Sequence, residues 1–121
     1  MESKKFTIKR DAELLRDYGK WILVRKSLDL RSFGINMVDL APGVAIPEHD
    51  EVTRDQEEVF LVLKGDATMV IDGKEYDAPA GTFIRLDPEP KRYVKNGGTS
   101  LVRILIMSAP RTSGYTPMEW A

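Results

Sequence analysis

The only histidine of the chain, His49, stands in a spaced run that reads Gly43, five residues, His49, Asp50, Glu51, then Glu58, six residues and Gly65. Imidazole and carboxylate groups hold divalent metals and move protons, so this run carries the residue types that either chemistry needs. A second run follows, with Gly81, five residues, Asp87, Glu89, Arg92, three residues and Asn96. Arginine keeps its proton and has no lone pair to donate, so Arg92 suits an anion or a carboxylate partner and cannot be an ordinary metal ligand. With no cysteine in the sequence, thiolate metal sites, disulfides and a cysteine nucleophile are excluded. Neither a phosphate-cradling glycine loop nor a nucleophile elbow occurs.

The elements that must position these residues are strands. Two-residue alternation dominates, and turn residues recur at short intervals, which predicts an antiparallel sandwich or barrel of about eight to ten strands. FGINMVDL at 33–40 sets Asn36, Val38 and Leu40 on one face. EEVFLVLKG at 57–65 reads as a largely buried strand closing at Gly65. ATMVIDGKEYDA places an Asp72-Gly73 turn between two strands, a strong hairpin signal. TFIRL at 82–86 is a strand, and Pro88 and Pro90 then forbid regular pairing. RYVKNGGTSLVRILIM predicts a strand, a Gly97-Gly98 hairpin and a final strand over 101–107. DAELLRDYG at 11–19 is the one helical signal, with Asp11 as N-cap, Leu14 and Leu15 inward and Gly19 as the stop. Arg85 and Arg103 read as outward charges, and Trp21, Phe60 and Tyr93 as core.

Together the two runs resemble the paired motifs of the cupin superfamily over roughly residues 33 to 107. The resemblance is to a small conserved-barrel (cupin 2 type) member, and implies one all-β domain over 1–121 with a double-stranded β-helix, or jelly-roll, barrel and a short N-terminal helix. In that family three histidines and a glutamate converge near the barrel mouth on a divalent metal. His49 matches the first histidine counted forward from Gly43, and Glu58 the glutamate counted back from Gly65. Glu51 takes the second histidine position counted from His49, whereas counting from Glu58 places Thr53 or Arg54 there. In the second motif Asp87 replaces a proline, Glu89 a glycine and Arg92 the last histidine, while Asn96 is kept.

Two opposed site chemistries follow, and a third possibility lies outside the site. The leading expectation is a small-molecule-binding protein with a degenerate metal site and no cofactor. Its cavity would be lined by His49, Glu58 and Arg92, with Arg92 fixing a carboxylate or other organic anion, or pairing bidentately with Glu58. The alternative is a metal-dependent enzyme of the dioxygenase or isomerase type, in which His49, Glu51 and Glu58 hold manganese or ferrous iron. The third is a structural or regulatory module acting through its tail.

Eighteen basic against nineteen acidic residues leave a net charge of −1, which gives no field to draw nucleic acid or an anionic membrane. The sequence starts without an apolar leader and has no membrane-length apolar run, so a soluble cytoplasmic protein is expected. The tail over 108–121 keeps Tyr115, Met118 and Trp120, which predicts docking on its own barrel or on a second copy. The resemblance implies a homodimer joined through a sheet edge, an arrangement that also hides exposed strands.

Overall fold

The structure, a computed structural model, describes residues 5–121. Nine strands are present among the described residues: β1 Leu15–Tyr18, β2 Trp21–Leu23, β3 Gly34–Leu40, β4 Gln56–Lys64, β5 Asp66–Ile71, β6 Lys74–Pro79, β7 Phe83–Leu86, β8 Arg92–Lys95 and β9 Val102–Pro110. They form a six-stranded sheet in the order β1-β2-β3-β9-β4-β7 and a three-stranded sheet in the order β6-β5-β8, antiparallel throughout. The expected all-β architecture holds. No helix among the described residues is long and apolar enough to cross a membrane.

Register explains which end of the barrel is dry. Glu58, Ser108 and Gly34 lie side by side across β4, β9 and β3, and Phe60, Ile106 and Asn36 form the next inward row. Below them come Val62, Ile104 and Val38, then Val102 and Leu40. The lower rows are entirely apolar and fully buried, packing against Ala67, Met69 and Val94 of the small sheet. Polar side chains enter only the two upper rows, so the six-stranded sheet grades from a polar mouth to an apolar floor.

The Asp72-Gly73 hairpin forms as predicted, with both residues at positive φ (49° and 81°), the backbone of a tight two-residue turn. At the end of β4, Gly65 is required for two reasons. Its φ is 79°, and a Cβ there would come 2.4 Å from the Leu101 carbonyl oxygen.

Two expectations fail. Residues 11–19 are not a helix: Asp11–Glu13 make one 3-10 turn, and Leu15–Tyr18 then pairs with β2 around Gly19, leaving Leu15 exposed. A nine-residue helix gains little alone, while an edge position offers the segment a backbone partner. The short helix lies later, as α1 Val24–Leu28, ended by Asp29 in the left-handed conformation (φ 57°). Gly97-Gly98 does not close a hairpin either. β8 pairs with β5 while β9 lies between β3 and β4, so the chain crosses there from one sheet to the other.

The outward arginines are as expected. Arg85 on the edge strand β7 pairs with Glu57 and Asp87, and Arg103 pairs with Asp39 and Asp11. In the tail, Ser108–Pro110 belong to β9 and Arg111 bonds Asp55 and Glu89, whereas Tyr115, Met118 and Trp120 are 74%, 64% and 84% exposed. Tyr115 borders an outer groove beside Phe33 and Met107, but all three side chains leave most of their surface exposed.

Candidate functional site

The segment from Gly43 to His49 runs antiparallel to β8, and this pairing brings the two sequence motifs together. Gly43 N–H donates to Asn96 O, Ile46 N–H to Val94 O, and His49 and Arg92 exchange both main-chain bonds at 3.0 and 2.8 Å. Glu51 is then pinned by its N–H on Pro88 O at 3.0 Å. Glu58 comes from the opposite sheet, on the inward face of β4 between Gln56 and Phe60.

These placements bring His49, Glu51 and Glu58 together, with one ligand atom of each inside a 4.8 Å spread. His49 Nε2 lies 3.3 Å from Glu51 Oε2 and 3.8 Å from Glu58 Oε1. Its Nδ1 is 3.1 Å from the Pro47 carbonyl oxygen, so Nδ1 carries the hydrogen and Nε2 is the atom turned to the carboxylates. A bare lone pair facing two carboxylate oxygens is repulsive. Something positive must therefore sit at Nε2, either a proton or a cation. The protonated ring is favoured by Glu58 above all, with burial opposing and Pro47 and Glu51 adding, so the His49 pKa is raised.

A divalent cation is the other occupant, and the donor set fits one. An imidazole and two carboxylates on one side of a shared point suit manganese or ferrous iron better than zinc or copper. Burial points the same way: Glu58 Oε1 is buried without a hydrogen bond. Arg92 Nε stands 3.1 Å from it yet is also left without a bond, because its N–H is not aimed at that oxygen. The pair is electrostatic, and the bidentate clasp expected between them does not form.

Arg92 itself is fully buried, and its remaining donors are taken by main chain: Nη1 by Pro88 O and Pro90 O, Nη2 by Asp87 O. It clamps the turn over 87–90 and does not line the cavity. The expectation that Arg92 faces an organic anion there is corrected by this geometry.

The cavity at the mouth measures about 260 Å³. His49, Glu51, Glu58, Asn36, Ser108 and Arg54 form its polar lining. Its apolar wall includes Trp21, Ile46, Phe60 and Ile106, which makes Trp21 a cavity residue as well as a core one. Asn36, Ser108 and Arg54 were not read from the sequence as members of such a lining. Alternation did put Asn36 on the face of Val38 and Leu40, and counting back from Glu58 did reach Arg54; nothing in sequence marked Ser108. Thr53 stays exposed in the loop, and Tyr93 packs on the core.

Comparison with known proteins agrees with this architecture. A family model described as a cupin domain matches residues 36–108. A cupin protein from Bacteroides fragilis is 25% identical, with a TM-score of 0.77 over 94% of this chain and 93% of that one. A Cupin 2 conserved barrel domain protein from Salinispora arenicola is 23% identical, with a TM-score of 0.61 over 69% of this chain and 67% of that one. A sugar phosphate isomerase from a cupin superfamily, from Silicibacter pomeroyi, is 19% identical, with a TM-score of 0.66 over 74% of this chain and 57% of that one. No curated protein sequence matches the chain. With the barrel, both motif runs and the domain match in place, the chain belongs to the cupin superfamily.

Proposed function

We propose that the chain is a small-molecule-binding cupin that holds a divalent cation, manganese or ferrous iron, through His49, Glu51 and Glu58 at the barrel mouth. The observation that carries this reading is the convergence of His49 Nε2 with two carboxylates inside a 4.8 Å spread beside an open cavity. When bound, such a cation would polarise a carbonyl or activate a bound oxygen ligand. The side chains have separate tasks: the Pro47 carbonyl fixes the tautomer of His49, Arg92 offsets part of the Glu58 charge from behind, and Phe60 and Ile106 keep the site floor dry.

A metal-free binder is the second reading, favoured by Arg92 Nε at 3.1 Å from Glu58. There a proton on His49 replaces the cation and no cofactor is needed. Metal analysis of the purified protein separates the two. About one equivalent of manganese or iron per chain, lost in Glu58→Gln, supports the cation; none in either protein rejects it. Neither a dioxygenase nor an isomerase reaction is assigned, since a 19% identical isomerase speaks only for fold. A homodimer belongs to the same proposal. An outer groove of about 630 Å³, lined by Phe33, Val59, Met107 and Tyr115, and the exposed Trp120 offer apolar surface for a second copy.

A further inference from the structure

We infer that Arg54 is the anion-recognising residue of this cavity, and that its ligand is a small organic carboxylate. The inference rests on the small-molecule reading above and adds the ligand class. Most arginines near the barrel are engaged: Arg85, Arg103 and Arg111 each pair with two carboxylates, and Arg92 with Glu58 and three carbonyls. Arg54 lines the mouth cavity and has no carboxylate partner among the described residues.

Its backbone is nevertheless held firmly. Gln56, itself buried, donates from Nε2 to Arg54 O at 3.1 Å, and Gln56 N–H donates to Glu51 O at 3.2 Å. The next residue, Asp55, adopts a left-handed conformation (φ 51°), accepts the Arg111 N–H on its carbonyl and receives the Arg111 guanidinium at 2.7 Å. Four attachments thus fix a loop whose Arg54 guanidinium borders the cavity without an ion pair among the described residues. That is preorganisation without an internal partner, the arrangement a ligand would complete.

The rest of the polar lining supports the same class. Asn36 and Ser108 line the cavity, and neither side chain has a hydrogen-bond partner among the described residues. Gly34 keeps that hydroxyl unobstructed, because a Cβ at 34 would stand 2.6 Å from Ser108 Oγ. The ligand therefore meets a guanidinium, an amide and a hydroxyl, with Trp21 and Phe60 in the apolar lining. A volume of about 260 Å³ falls below the roughly 300 Å³ where drug-sized pockets begin, so a molecule of a few carbons fits. A guanidinium and a carboxylate match as planar, two-pronged partners.

The test is calorimetric titration of a panel of short mono- and dicarboxylates, with their neutral amides as controls, into the wild-type chain and Arg54→Gln. Binding of manganese to each protein is followed separately by paramagnetic resonance. The expected result is that at least one carboxylate binds while its amide does not, and that Arg54→Gln weakens it roughly 10- to 100-fold, the size of a charge-assisted contact. Manganese affinity and melting temperature should be unchanged in the variant, since Arg54 is an exposed loop side chain outside the cation set. Equal carboxylate affinity in Arg54→Gln overturns the role of Arg54, and no carboxylate binding to the wild type overturns the ligand class. Absence of manganese binding in the wild type would instead count against the cation at His49, Glu51 and Glu58, leaving the Arg54 comparison intact.

Discussion

A buried polar side chain marks each end of β8, Arg92 as its first residue and Asn96 just past its last, and the two behave in opposite ways. Asn96, at the apolar end, meets every demand on its amide: Nδ2 donates to Leu40 O at 2.8 Å and Ser100 O at 2.7 Å, and Oδ1 accepts from Gly98 N–H at 3.0 Å. Arg92, at the mouth, satisfies its Nη atoms on main chain but leaves Nε and its partner Glu58 Oε1 without a bond. Evenly satisfied polar groups hold scaffold together, whereas an unsatisfied buried carboxylate beside an open cavity marks the place where another species belongs. Arg92 opens the four-residue strand and Asn96 directly follows its last residue, so the fold supplies both environments within one short stretch of backbone.

The largest effect should come from breaking the mouth cluster. Arg92→Ala takes from Glu58 the buried guanidinium behind it and frees three carbonyls, and is predicted to cost about 3–5 kcal/mol in urea denaturation. A loss under about 1 kcal/mol would mean that Arg92 is not the clamp described. Asn96→Ala strands two carbonyls and one N–H at the closed end and should cost roughly 3 kcal/mol, with manganese affinity unaltered. A parallel fall in manganese affinity would erase the division between the two ends.

Gly65→Ala forces a side chain into a left-handed conformation against the Leu101 carbonyl, and should cost about 2 kcal/mol or more by the same measurement. The smallest stability change is expected for the pH response of His49. Its pKa is raised in the folded chain, so the folded state binds the proton more tightly than the unfolded one. That contribution is fully present below the ordinary value of 6.5 and is lost as pH rises through the raised value. A divalent cation responds oppositely, because Nε2 must shed its proton to ligate. His49→Gln should flatten the stability profile as pH rises above the ordinary value of 6.5, and an unchanged slope would show that another group titrates there.

Much of the barrel was legible: alternation in 33–40, the apolar run of 57–65 and the Asp72-Gly73 turn each predicted an element that formed, although 57–65 buries one face and leaves Leu63 exposed. The motif spacing likewise brought His49, Glu51 and Glu58 to one point. The failures have one physical origin, which is that partners distant in sequence decided them. Residues 15–18 became a strand because β2 lies beside them, and Gly97-Gly98 bridges two sheets because β9 pairs with β3 and β4. Arg92 was assigned to the cavity by position in a motif, but the carbonyls of the turn over 87–90 turned it inward. Ser108 became visible only once register set it beside Glu58 and Gly34.

The most direct measurement is an anomalous-scattering map from crystals of the chain grown with manganese. The predicted result is a single strong peak at the mouth, bonded by His49 Nε2 and by one oxygen each of Glu51 and Glu58, with Arg92 still held on the Asp87, Pro88 and Pro90 carbonyls. A map without that peak, with His49 hydrogen-bonded to Glu51 or Glu58 and the Glu58–Arg92 pair closed, would contradict the cation site.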